Sequence, residues 1–299
     1  MLQEKYTQRE DELNESKSLC KVNLALDVVR KRADGYHDLE MVMAPITLHD
    51  LIYIHRIDQG IEITSNSYRM PTDEKNIMYQ VAQILIERYH INAGVKIHIY
   101  KHIPTQAGLA GGSADGAAVL RAMNQMFGLN LSLETLAEIG KEVGADIPFC
   151  IYEQMAVVRG IGEKLEFIDN EFRCHVLIVK PKKGVPTKKS FGMLDLAHAI
   201  HPDIMKMKQS IEDNDYQGVV DSLGNTLEAP SLEIVPEIAQ IKKEMIELGF
   251  DGTLMSGSGS SVFGLTMNSD ILEKGYEFFQ NKYNFVRKTE LLHKEKEKY

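Results

Sequence analysis

The chain has 299 residues, more than one hydrophobic core usually organises, and its 43% hydrophobic and 26% charged residues are ordinary for a water-soluble globular protein. A net charge of −9 argues against a nucleic-acid partner or an anionic membrane surface, while leaving room for a local basic pocket. Cys20, Cys150 and Cys174 lack metal or disulfide spacing, which suits a reducing cytoplasm, and no apolar run is long enough to cross a bilayer.

Residues 1–17 are almost wholly polar and read as a solvated or weakly helical extension with no signal-peptide core. From Cys20 to Val29 the apolar residues alternate: Val22, Leu24, Leu26 and Val28 form one face, Asn23, Ala25 and Asp27 the other, which is strand periodicity. Residues 51–57 and 61–64 are expected to pair as a hairpin around Asp58-Gln59-Gly60. A helix is expected over 73–90, capped by Thr72 or Asp73, with Ile77, Val81, Ile84 and Leu85 on its apolar face. Val95, Ile97 and Ile99 then alternate in a strand.

That strand delivers the chain to Ile103-Pro104-Thr105-Gln106-Ala107-Gly108-Leu109-Ala110-Gly111-Gly112-Ser113-Ala114-Asp115, and a helix is expected over 114–127. A strand, a small-residue loop and a helix N-terminus in that order can cradle an anion, since backbone N–H groups and the positive end of the helix dipole face the loop. The spacing is neither that of a P-loop nor Gly-x-Gly-x-x-Gly. A tight turn with close helix–sheet packing explains the same glycines.

Ser132 is expected to cap a helix running through Val143, with Gly144 ending it. Residues 176–179 form a short apolar run stopped by Pro181, and a second lobe is expected to begin near there. It would hold helices over 202–212 and 236–248, a small-residue loop from Met255 to Ser260, and a strand over 261–265. Residues 293–299 read as a solvated helix end. Interleaved strands and helices imply an α/β or α+β chain. The expected organisation is an extension over 1–17, an N-terminal lobe over 18–170 with a phosphate loop at 104–115, and a C-terminal lobe over 171–299.

Singly, the chemical candidates are ambiguous. Asp146, in Gly144-Ala145-Asp146-Ile147-Pro148-Phe149, fits a turn former as well as a working carboxylate. Lys21 in its strand fits solvent or a site, and Tyr36-His37 fits an exposed loop.

Their order is more specific. Lys21-x-Asn23-Leu24-x-Leu26-Asp27, Asp34-Gly35-Tyr36-His37, the glycine segment from Pro104 to Asp115, Gly144 to Phe149, and Ser256-Gly257-Ser258-Gly259 together resemble the galactokinase, homoserine kinase, mevalonate kinase and phosphomevalonate kinase superfamily. The resemblance runs over 18–265, with 189–232 adding little, and Asp-Gly-Tyr-His points to members whose acceptor is a cytidine diphosphate-linked alcohol of isoprenoid biosynthesis. Where such members have Ala-Pro-Ala before the lysine, this chain has Ser18-Leu19-Cys20.

The resemblance implies an α+β, two-lobed fold with a ferredoxin-like C-terminal lobe and an active site in the cleft. It implies transfer of the ATP γ-phosphoryl to the 2-hydroxyl of a methylerythritol unit, with Mg²⁺ accompanying the nucleotide and no protein metal site. Asp146 would be the base and Lys21 its partner. Pro104, Gly108, Leu109, Ala110, Gly111, Gly112 and Ser113 would wrap the ATP phosphates, with Asn76 and Lys101 on the adenosine side. Asn23 would hold the substrate diphosphate, Tyr36 would stack on the cytosine, His37 would hydrogen-bond it, Phe191 would close its other face, and Gly257 and Ser258 would complete the substrate site. The partner implied is a small molecule, with no nucleic acid or membrane, on a cytoplasmic monomer or homodimer. A superfamily kinase of another small alcohol, or a nucleotide-binding relative without turnover, are the alternatives.

Overall fold

The computed structural model describes residues 14–68 and 70–292. They form two compact units that interleave along the chain. One holds the segments ending at Ser18, Asp50–His102 and Gly112–Ile151; the other holds Leu19–His49, Ile103–Gly111 and the chain from Tyr152 onward. Two long strands, β1 (Asn14–Lys31) and β2 (His37–Ile57), contribute residues to both. Asn14 to Lys17, expected in the extension, open β1, while 293–299 and the rest of the extension lie outside the described residues.

The first unit continues with β3 (Ile61–Ser65), α1 (Ile77–Arg88), β4 (Gly94–Tyr100), α2 (Gly111–Met126), α3 (Leu133–Lys141) and α4 (Ile147–Tyr152). The expected hairpin of β2 with β3 does not form. Its turn is made, with Gly60 at φ 83°, but β4 lies between the two strands, antiparallel to β2 and parallel to β3. The turn's carbonyl is committed to β4: the Val95 N–H donates to Gly60 O at 2.9 Å, and a Cβ on Gly94 would lie 2.2 Å from that oxygen. Val95, Ile97 and Ile99 are fully buried, so both neighbours gain an apolar strand to pack beside.

Helix α1 starts later than expected because Asp73 closes the preceding turn, accepting from the Lys75 N–H at 3.1 Å, and Asn76 caps the helix, accepting from the Met78 N–H at 2.8 Å. Its buried face is Met78, Val81, Ala82 and Leu85, one step round from the predicted stripe. Ser132 caps α3 as expected. Gly144 does not end that helix with a left-handed turn. Glu142 is the cap in right-handed geometry, and Gly144 sits where a Cβ would meet Ile147 at 3.4 Å.

In the second unit the elements are β5 (Ala156–Gly160), β6 (Lys164–Phe167), β7 (His175–Lys180), α5 (Thr187–Gly192), α6 (Ile204–Glu212), α7 (Tyr216–Asp221), β8 (Gly224–Asn225), α8 (Glu228–Ile234), α9 (Glu237–Leu248), β9 (Gly252–Met255), β10 (Val262–Thr266), α10 (Ser269–Gln280) and β11 (Phe285–Glu290). β5 pairs with β2 between Leu39 and Met43 and with β6, and β8 pairs with β1 at Ala25 and Leu26. The antiparallel sheet β11-β7-β10-β9 carries α9 and α10. With α5 to α8 set aside as an insertion after β7, the chain runs strand, helix, strand, strand, helix, strand, which is the ferredoxin-like order. Gly264 and Gly275 are required there, since a Cβ on either would press into Phe250.

Along β1 every residue from Cys20 to Leu26 is buried. The face read as polar therefore turns inward, and Asn23 and Ala25 are as buried as Val22 and Leu24. A single core joins this strand to Phe172, Val176, Ile178, Phe263 and Leu265.

Candidate active site

Within the second unit, Lys21 and Asn23 lie side by side in the middle of β1, 4% and 0% exposed. The Lys21 ammonium donates to Asn23 Oδ1 at 2.5 Å and to the Gly108 carbonyl at 3.0 Å, and the Lys21 N–H donates to Leu109 O at 3.2 Å. The glycine loop is thereby fastened to the strand. From the other side the Ser256 hydroxyl donates to the same Gly108 carbonyl at 2.9 Å and accepts from the Asn23 N–H at 3.3 Å. Ser256 opens the Ser-Gly-Ser-Gly motif of the sequence but was given no role there, since nothing in such a run marks which serine turns inward.

Gly108 is glycine for a packing reason. Its φ is +74°, and a Cβ would fall 1.9 Å from the Ser256 carbonyl oxygen. Gly257, at φ +56°, faces it so closely that its own Cβ would lie 3.0 Å from Gly108 O. The packing and phosphate readings of the loop thus divide between its glycines.

Gly112 behaves differently. In the first unit it sits in the first turn of α2, where a Cβ would touch only Ile77 Cδ1, at an ordinary 3.5 Å. No close neighbour among the described residues demands glycine there. Ala110, just before the helix, is held at φ 54°, and the first turn of α2 contains no carboxylate. The N–H groups of Gly111, Gly112 and Ser113 have no intrahelical acceptor, so they are donors at the positive end of a 16-residue helix.

The same unit holds a buried ion cluster. Lys101, at the end of β4, places its ammonium 2.5 Å from Asp50 Oδ2 and 2.7 Å from Asp115 Oδ2. Ser18 donates to Asp115 Oδ1 at 2.8 Å, and the His102 N–H donates to Asp50. Burial, with Asp50 nearby, pushes the Asp115 carboxyl up to about 7 against the pull of Lys101 and Ser18. Lys101 and Asn76 are therefore both engaged inside the unit, Asn76 also donating to Pro71 O at 2.6 Å. Asp146 is half-buried in the turn before α4, and its carbonyl accepts from the Cys150 N–H at 3.2 Å.

A cavity of about 640 Å³ opens in the second unit between the turn after β1 and helix α5. Tyr36, His37, Leu39, Ile161, Thr187 and Phe191 line it. The turn is rigidly made: Gly35 takes φ +87°, Asp34 accepts from the Tyr36 N–H at 3.1 Å, and Arg32 pairs with Asp34 and Asp38. His37 and Phe191 have ring centroids 4.8 Å apart, whereas Tyr36 is 62% exposed and free of both. Burial, and then the charge of Lys31, lower the His37 pKa, so at neutral pH the imidazole is uncharged and offers one donor and one acceptor. Thr187 in the cavity wall meets Ser258 hydroxyl to hydroxyl at 2.9 Å, which links the cavity to the loop packed on Gly108.

The model of the GHMP kinases N terminal domain matches residues 76–154 and that of the GHMP kinases C terminal domain matches 200–284. The 4-diphosphocytidyl-2-C-methyl-D-erythritol kinase of Bacillus subtilis is 43% identical over 261 residues, 87% of this chain and 90% of the relative. The enzyme of the same name from Exiguobacterium sibiricum is 43% identical over 277 residues, 92% and 97% of the two chains. A crystal structure of 4-(cytidine 5'-diphospho)-2C-methyl-D-erythritol kinase superposes with a TM-score of 0.81 at 28% identity, covering 93% of this chain and 99% of that one. Homoserine kinase from Cytophaga hutchinsonii shares the fold, with a TM-score of 0.71 at 20% identity and 93% and 95% coverage. The chain belongs to the 4-diphosphocytidyl-2-C-methyl-D-erythritol kinase family of the GHMP kinases.

Proposed function

We propose that this small-molecule kinase transfers the γ-phosphoryl group of ATP to the 2-hydroxyl of 4-diphosphocytidyl-2-C-methyl-D-erythritol, a step of the non-mevalonate isoprenoid pathway. The observation that carries this reading is the aromatic cavity joined, through Thr187 and Ser258, to the loop that holds Gly108 and Lys21. A kinase acting on an alcohol without a base has no use for that cavity. Tyr36 and Phe191 take the two faces of the cytosine, and neutral His37 hydrogen-bonds its edge.

Phosphoryl transfer passes through a loose transition state, so positioning and charge neutralisation contribute most of the acceleration. The N–H groups of Gly111, Gly112 and Ser113 and the dipole of α2 receive the ATP phosphates, with Pro104, Leu109 and Ala110 shaping the approach. Asp146 accepts the proton of the attacking hydroxyl, Lys21 supplies positive charge, and Asn23, Gly257 and Ser258 shape the substrate side. Asn76 and Lys101 belong to the adenosine side as elements that fix its walls, since their polar atoms are engaged internally.

Among the described residues there is no cluster of three or more His, Cys, Asp or Glu able to hold a metal. An Mg²⁺ ion entering with the nucleotide would supply charge neutralisation at its phosphate oxygens. No helix among the described residues is long and apolar enough to cross a membrane, and we place the enzyme in the cytoplasm.

The two glycines separate packing from phosphate binding. Gly108→Ala is expected to lower stability by about 1–3 kcal/mol, from strain and the clash with Ser256. Gly112→Ala should leave stability unchanged or raise it by up to about 1 kcal/mol, the helix preference for alanine, while weakening ATP binding. Thermal melts with and without ATP check both; a Gly112→Ala protein that binds ATP normally removes Gly112 from the phosphate site. Truncating Tyr36 to Ala should weaken the cytidine substrate by roughly 1–3 kcal/mol if its ring stacks on the base. Calorimetric titration measures this, and an unchanged dissociation constant excludes the stacking role.

A further inference from the structure

Holding the substrate diphosphate falls to Asn23 by resemblance, yet Asn23 is 0% exposed. Its Oδ1 accepts from Lys21, and its Nδ2 faces Met41 Sδ at 3.2 Å. A diphosphate carries at least two negative charges, and one amide enclosed in this way offers little to neutralise them. The cations that face the base cavity lie elsewhere.

Two lysines line that cavity, Lys31 from the end of β1 and Lys188 from α5, and no carboxylate is among its lining residues. In a chain of net charge −9 that is an unusual local balance. The arginines flanking Lys31 are neutralised, Arg30 by Asp38 at 2.6 Å and Arg32 by Asp34 at 2.8 Å. Neither Lys31 nor Lys188 makes an ion pair with a described residue. Lys31 is also close enough to His37 for its charge to be felt at the imidazole. Its field therefore reaches the pocket instead of being spent at the surface.

We propose that Lys31 and Lys188 form a two-cation grip on opposite walls of the aromatic cavity, which makes the site select a pyrimidine nucleoside diphosphate over the bare nucleoside. The proposal rests on the reading of the cavity as the cytosine site. It assigns that site's anion selectivity to two side chains outside the glycine loop. The aromatic rings supply stacking that every cytidine compound shares, and the lysines supply the charge that only the phosphorylated ones use.

The test is calorimetric titration of the full chain with CDP and with cytidine, for the wild type, Lys31→Gln, Lys188→Gln and the double variant, at low and high salt. Wild type is expected to bind CDP at least about tenfold more tightly than cytidine. Each substitution should weaken CDP about 3–10-fold and leave cytidine unchanged, and the double variant should lose most of the salt dependence of CDP binding. Both lysines are exposed, so the variants are expected to fold. CDP affinity unchanged in the double variant, with cytidine still weakened by Tyr36→Ala, overturns the grip and leaves the base site standing. CDP and cytidine both indifferent to Tyr36→Ala overturns the base site and the grip with it.

Discussion

Asp146→Asn is expected to lower turnover by about 10²–10⁴-fold while leaving the affinity for ATP nearly unchanged. A sugar hydroxyl is too weak an acid to ionise on its own, so its proton must be accepted as attack proceeds, and an amide cannot accept it. The substitution is nearly isosteric. Asp146 uses its backbone carbonyl, not its side chain, to start α4 through the Cys150 N–H, so the helix should survive. Steady-state rates with the ATP concentration varied separate the two effects: a fall in kcat with KM for ATP preserved is the signature of an interaction made in the transition state. Near-normal turnover would remove Asp146 from the base role.

Lys101→Met is expected to cost about 3–5 kcal/mol of stability, because it leaves two buried carboxylates without their shared cation. Asp50 and Asp115 have 0% and 4% of their side-chain surface exposed, so water cannot replace the ammonium. The loss should depend on pH with a definite sign. Asp115 is raised from 3.8 to about 7 in the folded protein. Its protonated form therefore favours the fold, fully so below about pH 4, and that contribution fades as pH rises through about 7. Without Lys101 the ionised form becomes costlier still, so the variant should fall furthest below wild type near pH 8 and recover part of the difference near pH 5. Denaturant melts at the two pH values check this. A deficit that is equal at both, or absent, contradicts the cluster's assigned role. A large rise in KM for ATP with normal stability would instead make Lys101 a direct nucleotide contact.

Much of this was legible in the chain, and the failures have physical causes. β4, the cap at Ser132 and, in the ferredoxin-like sheet, β7, α9 and β10 follow local rules of alternation, apolar runs and capping, whereas β9, α10 and β11 went unread. The β2–β3 hairpin was misread because turn chemistry at Gly60 says that the chain reverses, but not which strand fills the space beside it. The inward turn of Asn23 was hidden for a related reason: alternation assumes one wet face, and β1 is covered on both.

At the site, the lysine, the glycines and the Tyr36-His37 turn could be singled out, but not their division of labour. That Gly108 serves packing and Gly112 does not depends on where the Ser256 carbonyl lies, 148 residues away from Gly108 in sequence. Ser18 illustrates the same limit. Standing where the resemblance leads one to expect alanine, it has no role legible in the sequence, and the structure shows its hydroxyl on the buried carboxylate of Asp115. The role of Asp50 could not be read at all, since only the fold brings it to Lys101.

The central claim is that this chain phosphorylates a cytidine diphosphate-linked alcohol. The most direct test supplies purified protein with ATP, Mg²⁺ and 4-diphosphocytidyl-2-C-methyl-D-erythritol and follows ADP release alongside ³¹P spectra of the product. Stoichiometric ADP and a new phosphomonoester resonance on the 2-oxygen are expected, with both lost in Asp146→Asn. ADP formation that ignores the cytidine substrate, or that is equally fast with a small alcohol lacking the base, would contradict it.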